Sequence, residues 1–174
     1  YLLLKSITSA ESMADLKGVH SRLCRMLLDP IRNGLNPEVI TRLITTFSDA
    51  ILKKIMAFSL EEVGPAPCEF VFLTMGSEGR EEQTLVSDQD NAIVYADPAS
   101  DAQAGEAADY FSRLADLVCT RLDMAGYRFC DGNNMAQNPK WCQPLSVWKQ
   151  YFYTWVRKAK PEDLLYSSIF FDFK

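Results

Sequence analysis

Residues 70–75 read FVFLTM, residues 76–80 read GSEGR, and residues 87–95 read SDQDNAIVY. An apolar run of strand length therefore enters a glycine–serine corner, and a second strand-like run begins at two aspartates. Because side chains alternate between the two faces of a strand, Asp88 and Asp90 are predicted to project on the same side, with Cα atoms roughly 6.5–7 Å apart. Two carboxylates placed in this way can converge on one hard cation.

The corner itself predicts a phosphate site. Gly76 can adopt backbone angles closed to other residues, and it allows a ligand to approach the main chain. The N–H groups of the corner and of the helix start that follows are then available to an anion. A phosphate cradle that faces a carboxylate pair indicates metal-dependent chemistry on a nucleoside triphosphate.

Helical patterns surround this stretch. Residues 1–30 carry one apolar stripe, and the Asn33–Gly34 pair is predicted to follow the end of that region, close after Pro30. A long helix is predicted from an Asn36 cap to about residue 62, and another over residues 103–125 with Gly126 as its terminator. Further along we expect a short strand at 127–130, an aromatic helix over 141–155 and a β-rich end at 166–174.

Composition excludes several classes of protein. The formal net charge is −5 and no basic tract is present, which argues against a nucleic-acid partner. No apolar run reaches the ~20 residues that span a bilayer, and no signal peptide is visible, so we expect no membrane partner and a cytoplasmic location. The five scattered cysteines suggest neither a disulfide framework nor a zinc site. The only histidine, His20, is poorly placed for a catalytic base.

The corner and the paired acids together resemble the DNA polymerase β-like nucleotidyltransferase superfamily. Its signature is a strand ending in Gly-Ser, then Asp-x-Asp, then a third acid on a later strand. More closely, the chain looks like the nucleotidyltransferase-like DUF294 family, which is related to the N-terminal domain of bacterial PII uridylyltransferase. The strings that carry this likeness are LTMGSEGREEQT (73–84), SDQDNA (87–92), NPKW (138–141) and SIFFDF (168–173). The resemblance covers most of residues 35–174.

The resemblance implies a role for six residues. The triphosphate would be held by the corner and a nearby guanidinium, namely Gly76, Ser77 and Arg80. A divalent metal, Mg²⁺ or Mn²⁺, would be bound by Asp88, Asp90 and Asp172, with Asp172 orienting or deprotonating the attacking hydroxyl.

Some positions match the family string without an assigned role, and others depart from it. Glu78, Glu81, Glu82 and Gln83 match, and we expect at least two of these four to cap a helix or face solvent. The residue between the paired acids is usually apolar in the superfamily and is Gln89 here. Lys174 stands where the family commonly has arginine.

The implied fold class is α+β: a polymerase β-like core with a small mixed sheet flanked by helices, preceded by an N-terminal helical hairpin. We expect the hairpin over residues 1–64, serving packing or dimerisation, and the core over residues 65–174. Because the chain begins with Tyr1, we expect it to be a piece of a longer protein, and the family resemblance implies that this protein serves bacterial signalling. Cyclic-nucleotide-binding and CBS modules would precede it, and a helical domain would follow.

Three functions remain open at this point. The first is an enzyme that transfers a nucleoside monophosphate to a hydroxyl, with a PII-like regulatory protein as the implied acceptor. The second is a module that binds nucleotide and metal without turnover and signals to neighbouring domains. The third is an interaction domain whose acids are vestigial.

Overall fold

The computed structural model describes residues 2–86, 88–158 and 161–174, and it describes only the backbone of residues 158 and 161–165. Ser87, which the sequence analysis placed at the start of the acid motif, lies outside the described residues. The elements in chain order are α1 (Leu2–Thr8), α2 (Met13–Leu16), α3 (Val19–Arg32), α4 (Pro37–Val63), β1 (Phe70–Thr74), α5 (Gly76–Gly79), β2 (Asn91–Tyr95), α6 (Asp101–Ala125), a 3₁₀ turn (Pro139–Trp141), β3 (Cys142–Pro144), α7 (Leu145–Lys158) and α8 (Pro161–Phe170).

The long helices begin and end at the capping residues that the sequence indicates. The Asn36 side chain accepts a hydrogen bond from the Glu38 N–H at 2.8 Å, at the start of α4. Gly126 ends α6 in the left-handed conformation, with φ +111°. Both predicted caps are confirmed, because each satisfies backbone groups that a helix end leaves without an intrahelical partner.

The N-terminal region was predicted to be a hairpin of two helices, and it contains four, α1 to α4. Residues 2–32 form three helices, α1 to α3, and Pro30 lies inside the last turn of α3 instead of ending it. Asn33 and Gly34 follow the end of α3, as predicted. The division of the chain at residue 64 stays a prediction, since α4 packs directly against α6 of the core. Across the described helices, none is both long and apolar enough to cross a bilayer.

A small mixed sheet holds the two halves of the motif side by side. The strand order is β1–β2–β3. β1 runs antiparallel to β2, so that Thr74 at the end of β1 is paired with Asn91 at the start of β2. β3 runs parallel to β2, with Ile93 opposite Cys142. The last residue of β1 and the first residue of β2 therefore lie side by side at one end of the sheet. The glycine–serine corner and the paired acids lie at this end.

Each face of the sheet is covered by a separate apolar cluster. On one face, Ile93 and Tyr95 pack against α6, and the Tyr95 ring stacks on Phe111 with centroids 4.6 Å apart. On the other face, Ala92 and Met75 lie beneath an aromatic cluster from the 3₁₀ turn, α7 and α8. Its buried members are Trp141, Trp148, Trp155 and Phe170. The α+β fold class, with helices flanking a small mixed sheet, is confirmed.

Three local predictions were wrong. Residues 127–130 are not a strand, residues 142–144 form a short strand instead of the first turn of the aromatic helix, and residues 166–170 belong to α8. The last error has a clear cause: Tyr166 and Phe170 are four residues apart and both contact Trp141, which suits helical spacing. From the predicted β-rich end only Phe173 pairs with a strand neighbour, in an isolated bridge to Met75.

Candidate active site

The glycine–serine corner folds back against one of the two predicted acids. Gly76 has φ +59°, a conformation that strongly favours glycine. A Cβ added to Gly76 would lie 3.1 Å from Oδ2 of Asp90. The two segments are also joined through the backbone, because the Met75 N–H donates to the Asp90 carbonyl at 2.9 Å. The corner and the Asp90 carboxylate are therefore in contact.

The acid pair precedes β2 and is held in place by the residue between its members. Gln89 is buried, and its Nε2 donates to the carbonyls of Cys119 at 3.1 Å and Tyr127 at 2.8 Å. Its N–H donates to the Arg128 carbonyl. Gln89 thus occupies the inward position of the superfamily's apolar residue and uses its amide to bind two backbone oxygens. Asp88 and Asp90, on either side of it, are only partly buried.

The electrostatic surroundings of Asp90 oppose its ionisation. Burial raises the pKa of the Asp90 carboxyl, the Cys130 thiol lowers that pKa by hydrogen bonding, and the negative charge of Asp88 raises it. Two nearby carboxylates disfavour each other's ionisation when no cation lies between them. This is the arrangement that a bound metal ion would relieve.

The third predicted acid, Asp172, lies beside the corner, but its carboxylate is paired with Arg80. Arg80 donates from Nη1 to Oδ2 of Asp172 at 2.9 Å and from Nε to Oε2 of Glu82 at 2.8 Å. The Asp172 carbonyl accepts the Gly76 N–H at 3.1 Å. Asp172 and the candidate phosphate ligand Arg80 are therefore paired with each other, and both are substantially exposed.

The described residues contain no group of three histidine, cysteine or acidic side chains close enough together to hold a metal ion. Asp88, Asp90 and Asp172 are thus not gathered into one ligand set in this conformation. The donors that fit a hard cation are the Asp88 and Asp90 carboxylates, which act on each other electrostatically. The other corner residue, Ser77, is partly buried, and no described residue hydrogen-bonds to its hydroxyl.

Two polar residues beside the acids were not assigned a role from the sequence. Asn91 is buried; its Oδ1 accepts from the Ala136 N–H at 2.8 Å, and its own N–H donates to the Asn134 carbonyl at 3.0 Å. Asn91 therefore fastens the polar loop after residue 130 to the start of β2. Its position directly after Asp90 was the only signal in the sequence.

The second such residue is Glu78, on α5. It lines an internal cavity together with Asp88. Burial, with added repulsion from Asp49 and Asp90, raises the pKa of Glu78 to about 7, against an opposing effect of Lys174. The sequence shows Glu78 within the GSEGR string. It does not show that Asp49 and Lys174 lie near Glu78 in the fold, because both are distant from it in sequence. Glu81 and Glu82 are exposed, as expected for two of the four unassigned positions, and Gln83 is buried.

The single histidine is a core residue. His20 is 8% exposed, its ring lies 4.7 Å from that of Tyr127, and burial lowers its pKa. A Cβ on Gly126 would lie 2.9 Å from the His20 Cβ, so the two elements are in close contact there. His20 packs α3 against the end of α6.

Comparison with known proteins supplies a family. Residues 21–162 match the family model described as "Putative nucleotidyltransferase DUF294". No curated protein and no solved structure matches the chain. The matched region includes the corner, both paired acids and the loop that Asn91 holds, and it extends over more than half of the chain. The chain belongs to the DUF294 family of nucleotidyltransferase-like proteins.

Proposed function

We propose that this chain is the nucleotidyltransferase unit of a protein that moves a nucleoside monophosphate from a nucleoside triphosphate to a hydroxyl group. The observation that carries the proposal is the contact between the Asp90 carboxylate and the left-handed Gly76, directly before Ser77. A carboxylate that would hold a cation thus lies against a turn suited to phosphate. In-line displacement at a nucleotide requires this neighbourhood.

The proposed reaction balances as a simple transfer. The acceptor oxygen attacks the α-phosphorus, the bond from that phosphorus to the bridging oxygen of the β-phosphate breaks, and pyrophosphate leaves. The acceptor's proton passes to a carboxylate of the site. A divalent cation, Mg²⁺ or Mn²⁺, would neutralise charge on the phosphates when bound.

Each site residue has a proposed part in this reaction. Gly76 and Ser77 accommodate the phosphates, and Asp88 and Asp90 bind the cation. Arg80 binds phosphate oxygens after it is released from its carboxylate partners, since its planar fork matches phosphoryl geometry. The family resemblance makes Asp172 the third carboxylate.

The finer biological assignment rests on resemblance alone. By likeness to the PII uridylyltransferases, the acceptor is a hydroxyl side chain of a PII-like regulatory protein, and the setting is a cytoplasmic bacterial signalling protein. CBS or cyclic-nucleotide-binding modules would regulate the transferase from the N-terminal side, and a helical domain would lie on the C-terminal side.

One observation favours a second function, a module that senses nucleotide and metal without turnover. The expected third acid, Asp172, is bound to Arg80, and no three-acid group is formed within the described residues. A binding module needs the corner and the paired acids alone, whereas a transferase needs a complete ligand set.

The experiment that separates these functions uses the full-length protein. It is incubated with each α-³²P-labelled nucleoside triphosphate, Mg²⁺ or Mn²⁺ and a bacterial lysate, and labelled proteins are resolved by electrophoresis. Transfer predicts a labelled acceptor that is lost with Asp88→Asn and with Asp90→Asn. Metal-dependent nucleotide binding without a labelled acceptor would support the sensing module and contradict the transferase.

A further inference from the structure

The third candidate acid and the candidate phosphate ligand are bound to each other in this structure. Nη1 of Arg80 donates to Oδ2 of Asp172 at 2.9 Å, and Nε of Arg80 donates to Oε2 of Glu82 at 2.8 Å. A residue that is expected to bind a cation is therefore neutralised by a residue that is expected to bind an anion. Each ligand must compete with this ion pair for its residue.

The ion pair is exposed enough to open. The side chains of Arg80 and Asp172 are 40% and 43% exposed. Because water screens an ion pair of this kind, opening it changes an equilibrium constant by roughly two- to fivefold. A divalent cation or a phosphate group carries more charge than either side chain and attracts its partner more strongly.

The backbone around Asp172 is fixed by contacts that do not involve its carboxylate. The Asp172 carbonyl accepts the Gly76 N–H at 3.1 Å. Lys174 and Thr74 exchange two backbone hydrogen bonds, of 3.0 and 3.1 Å. The Asp172 side chain can therefore leave its partner while the segment stays on β1.

The corner also places Asp172 beside the acid pair. Gly76 binds the Asp172 carbonyl, and a Cβ added to Gly76 would lie 3.1 Å from Oδ2 of Asp90. Both acids thus border one glycine. Within the part of the chain that the structure describes, no three acidic side chains are close enough together to hold a metal ion. The ion pair with Arg80 gives a physical reason for the separation of Asp172.

Arg80 would stay at the corner without Asp172. Its N–H donates to the Gly76 carbonyl at 3.1 Å, and the Glu82 N–H donates to the Ser77 carbonyl at 2.8 Å. The Glu82 backbone is thereby tied to the corner, and its carboxylate holds Nε of Arg80 there. Nη1, once released from Asp172, is available to a phosphoryl oxygen.

We propose that the Asp172–Arg80 ion pair is a latch between the two ligand sites, so that a divalent cation and a polyphosphate anion each help the other to bind. A cation that attracts the Asp172 carboxylate releases Arg80 to the anion, and an anion that binds Arg80 releases Asp172 to the cation. Thermodynamic linkage makes the two effects equal. The inference rests on the proposed function for the identity of the ligands, the phosphates of a nucleoside triphosphate and Mg²⁺ or Mn²⁺.

The first test measures the binding of inorganic tripolyphosphate to the full-length protein by calorimetry, in buffer freed of divalent cations. Asp172→Ala should bind tripolyphosphate roughly two- to fivefold more tightly than wild type, because Arg80 no longer has to leave an ion pair. The matched control is Glu81→Gln, which removes an exposed carboxylate next to Arg80 and leaves the latch intact. Its affinity should stay within about 1.5-fold of wild type, since salt screens an exposed charge.

A double variant separates the latch from a general effect of charge. Arg80→Gln should weaken tripolyphosphate binding, and adding Asp172→Ala should change nothing further, since no guanidinium remains to be released. Equal tightening by Asp172→Ala with and without Arg80 overturns the latch. Unchanged or weaker binding in the single Asp172→Ala variant, or no binding by it or by wild type, also overturns it. Asp172→Asn takes its place if Asp172→Ala loses its circular dichroism spectrum, with the same outcomes.

The second test measures Mn²⁺ binding without phosphate, with free Mn²⁺ followed by electron paramagnetic resonance. Arg80→Gln should bind Mn²⁺ roughly two- to fivefold more tightly, because Asp172 is free to join the paired acids. The matched control is Arg128→Gln, which removes an exposed cation from the residue whose carbonyl accepts the N–H between the paired acids. The control should stay within about 1.5-fold of wild type. Unchanged or weaker Mn²⁺ binding in Arg80→Gln contradicts the latch.

Failure of this inference can be distinguished from failure of the proposed function. If nucleotide labelling is lost in Asp90→Asn but tripolyphosphate affinity is indifferent to Asp172, the transferase stands and the latch falls. If both affinities respond as expected but no acceptor is labelled with any nucleotide, the latch stands and the transferase falls.

Discussion

The carboxylate of Asp90 lies beside Gly76, so that a Cβ added at position 76 would be 3.1 Å from Asp90 Oδ2. This contact exists because β1 and β2 are antiparallel and the register pairs Thr74 with Asn91, bringing the corner opposite the acids. Gly76 meets two demands at once: it adopts φ +59°, and it leaves room for the carboxylate.

The first prediction concerns this double demand. Gly76→Ala should lose about 1–2 kcal/mol of unfolding free energy from the left-handed backbone, and nucleotide-dependent activity should fall because Asp90 is displaced. The matched control is Gly18→Ala, where φ is +61° and nothing lies within 4 Å of the added Cβ. Urea unfolding should show a similar loss in both variants, while only Gly76→Ala loses labelling. Equal labelling in the two variants would mean that the contact between Gly76 and the Asp90 carboxylate does not affect activity.

The second prediction is that Asp90→Asn does not destabilise the metal-free protein. Burial and Asp88 raise the pKa of Asp90 in the folded state, so ionisation at neutral pH works against folding. The neutral amide should leave the melting temperature unchanged or higher when EDTA is present, while labelling is abolished.

The contrasting control for Asp90 is Asp97→Asn. The pKa of Asp97 is lowered chiefly by hydrogen bonding with the Ser146 side chain, and also by the Ser146 N–H, which donates to Asp97 Oδ1 at 2.9 Å. The ionised form of Asp97 therefore favours folding above its unfolded pKa, and its amide variant should melt at a lower temperature. Loss of stability in Asp90→Asn equal to that in Asp97→Asn would identify Asp90 as a structural acid.

The third prediction is a pH dependence of stability that depends on Glu78. Its pKa is raised to about 7 in the folded protein, mainly by burial and also by Asp49 and Asp90, against the opposing charge of Lys174. Because the folded state then binds more protons than the unfolded state between pH 4.5 and 7, stability falls as pH rises through that window. The shift corresponds to at most about 3 kcal/mol.

The measurement for Glu78 is urea unfolding in EDTA at intervals from pH 4.5 to 8. Other titrating groups contribute to wild type and to Glu78→Gln alike, so the difference between the two curves isolates this residue. The variant should gain stability relative to wild type as pH rises, and the gain should level off above pH 7. Parallel curves would show that Glu78 ionises freely in the folded state.

The parts of the site that could be predicted are those set by residues close in sequence. The corner at Gly76 and the alternation around Gln89 are local patterns, and one antiparallel pairing is enough to bring them together. The caps at Asn36 and Gly126 are also local, because a cap depends on a few neighbouring backbone groups.

The rest depends on partners distant in the chain. The pKa of Glu78 reflects Asp49 from α4 and Lys174 from the chain's end, and no spacing rule connects these three positions. The ion pair between Arg80 and Asp172 also joins residues that are far apart in sequence, so it could not be predicted either. The aromatic residues near the C-terminal end suit a strand by propensity, yet Tyr166 and Phe170 gain more from packing on Trp141 as a helix, which is a tertiary effect.

The last prediction concerns the close approach of the C-terminal segment to the corner. A Cβ on Gly79 would lie 2.3 Å from the carbonyl oxygen of Asp172 and 3.0 Å from the Cα of Phe173. Both are backbone atoms, so Gly79→Ala must push residues 172 and 173 away from α5 and loosen the hydrogen bonds of this segment to Thr74 and Gly76. The variant should lose roughly 1–3 kcal/mol of unfolding free energy, as expected for an overpacked contact.

Hydrogen exchange locates the effect of Gly79→Ala. The Thr74 N–H donates to the Lys174 carbonyl at 3.1 Å, and the Gly76 N–H donates to the Asp172 carbonyl at 3.1 Å. These two amides should exchange faster in the variant, while the amides of β2 stay protected. The control is Gly105→Ala in α6, where the added Cβ meets nothing within 4 Å and should stabilise the helix by about 0.5–1 kcal/mol. Unchanged protection at both amides would show that the segment tolerates the methyl group without moving from β1.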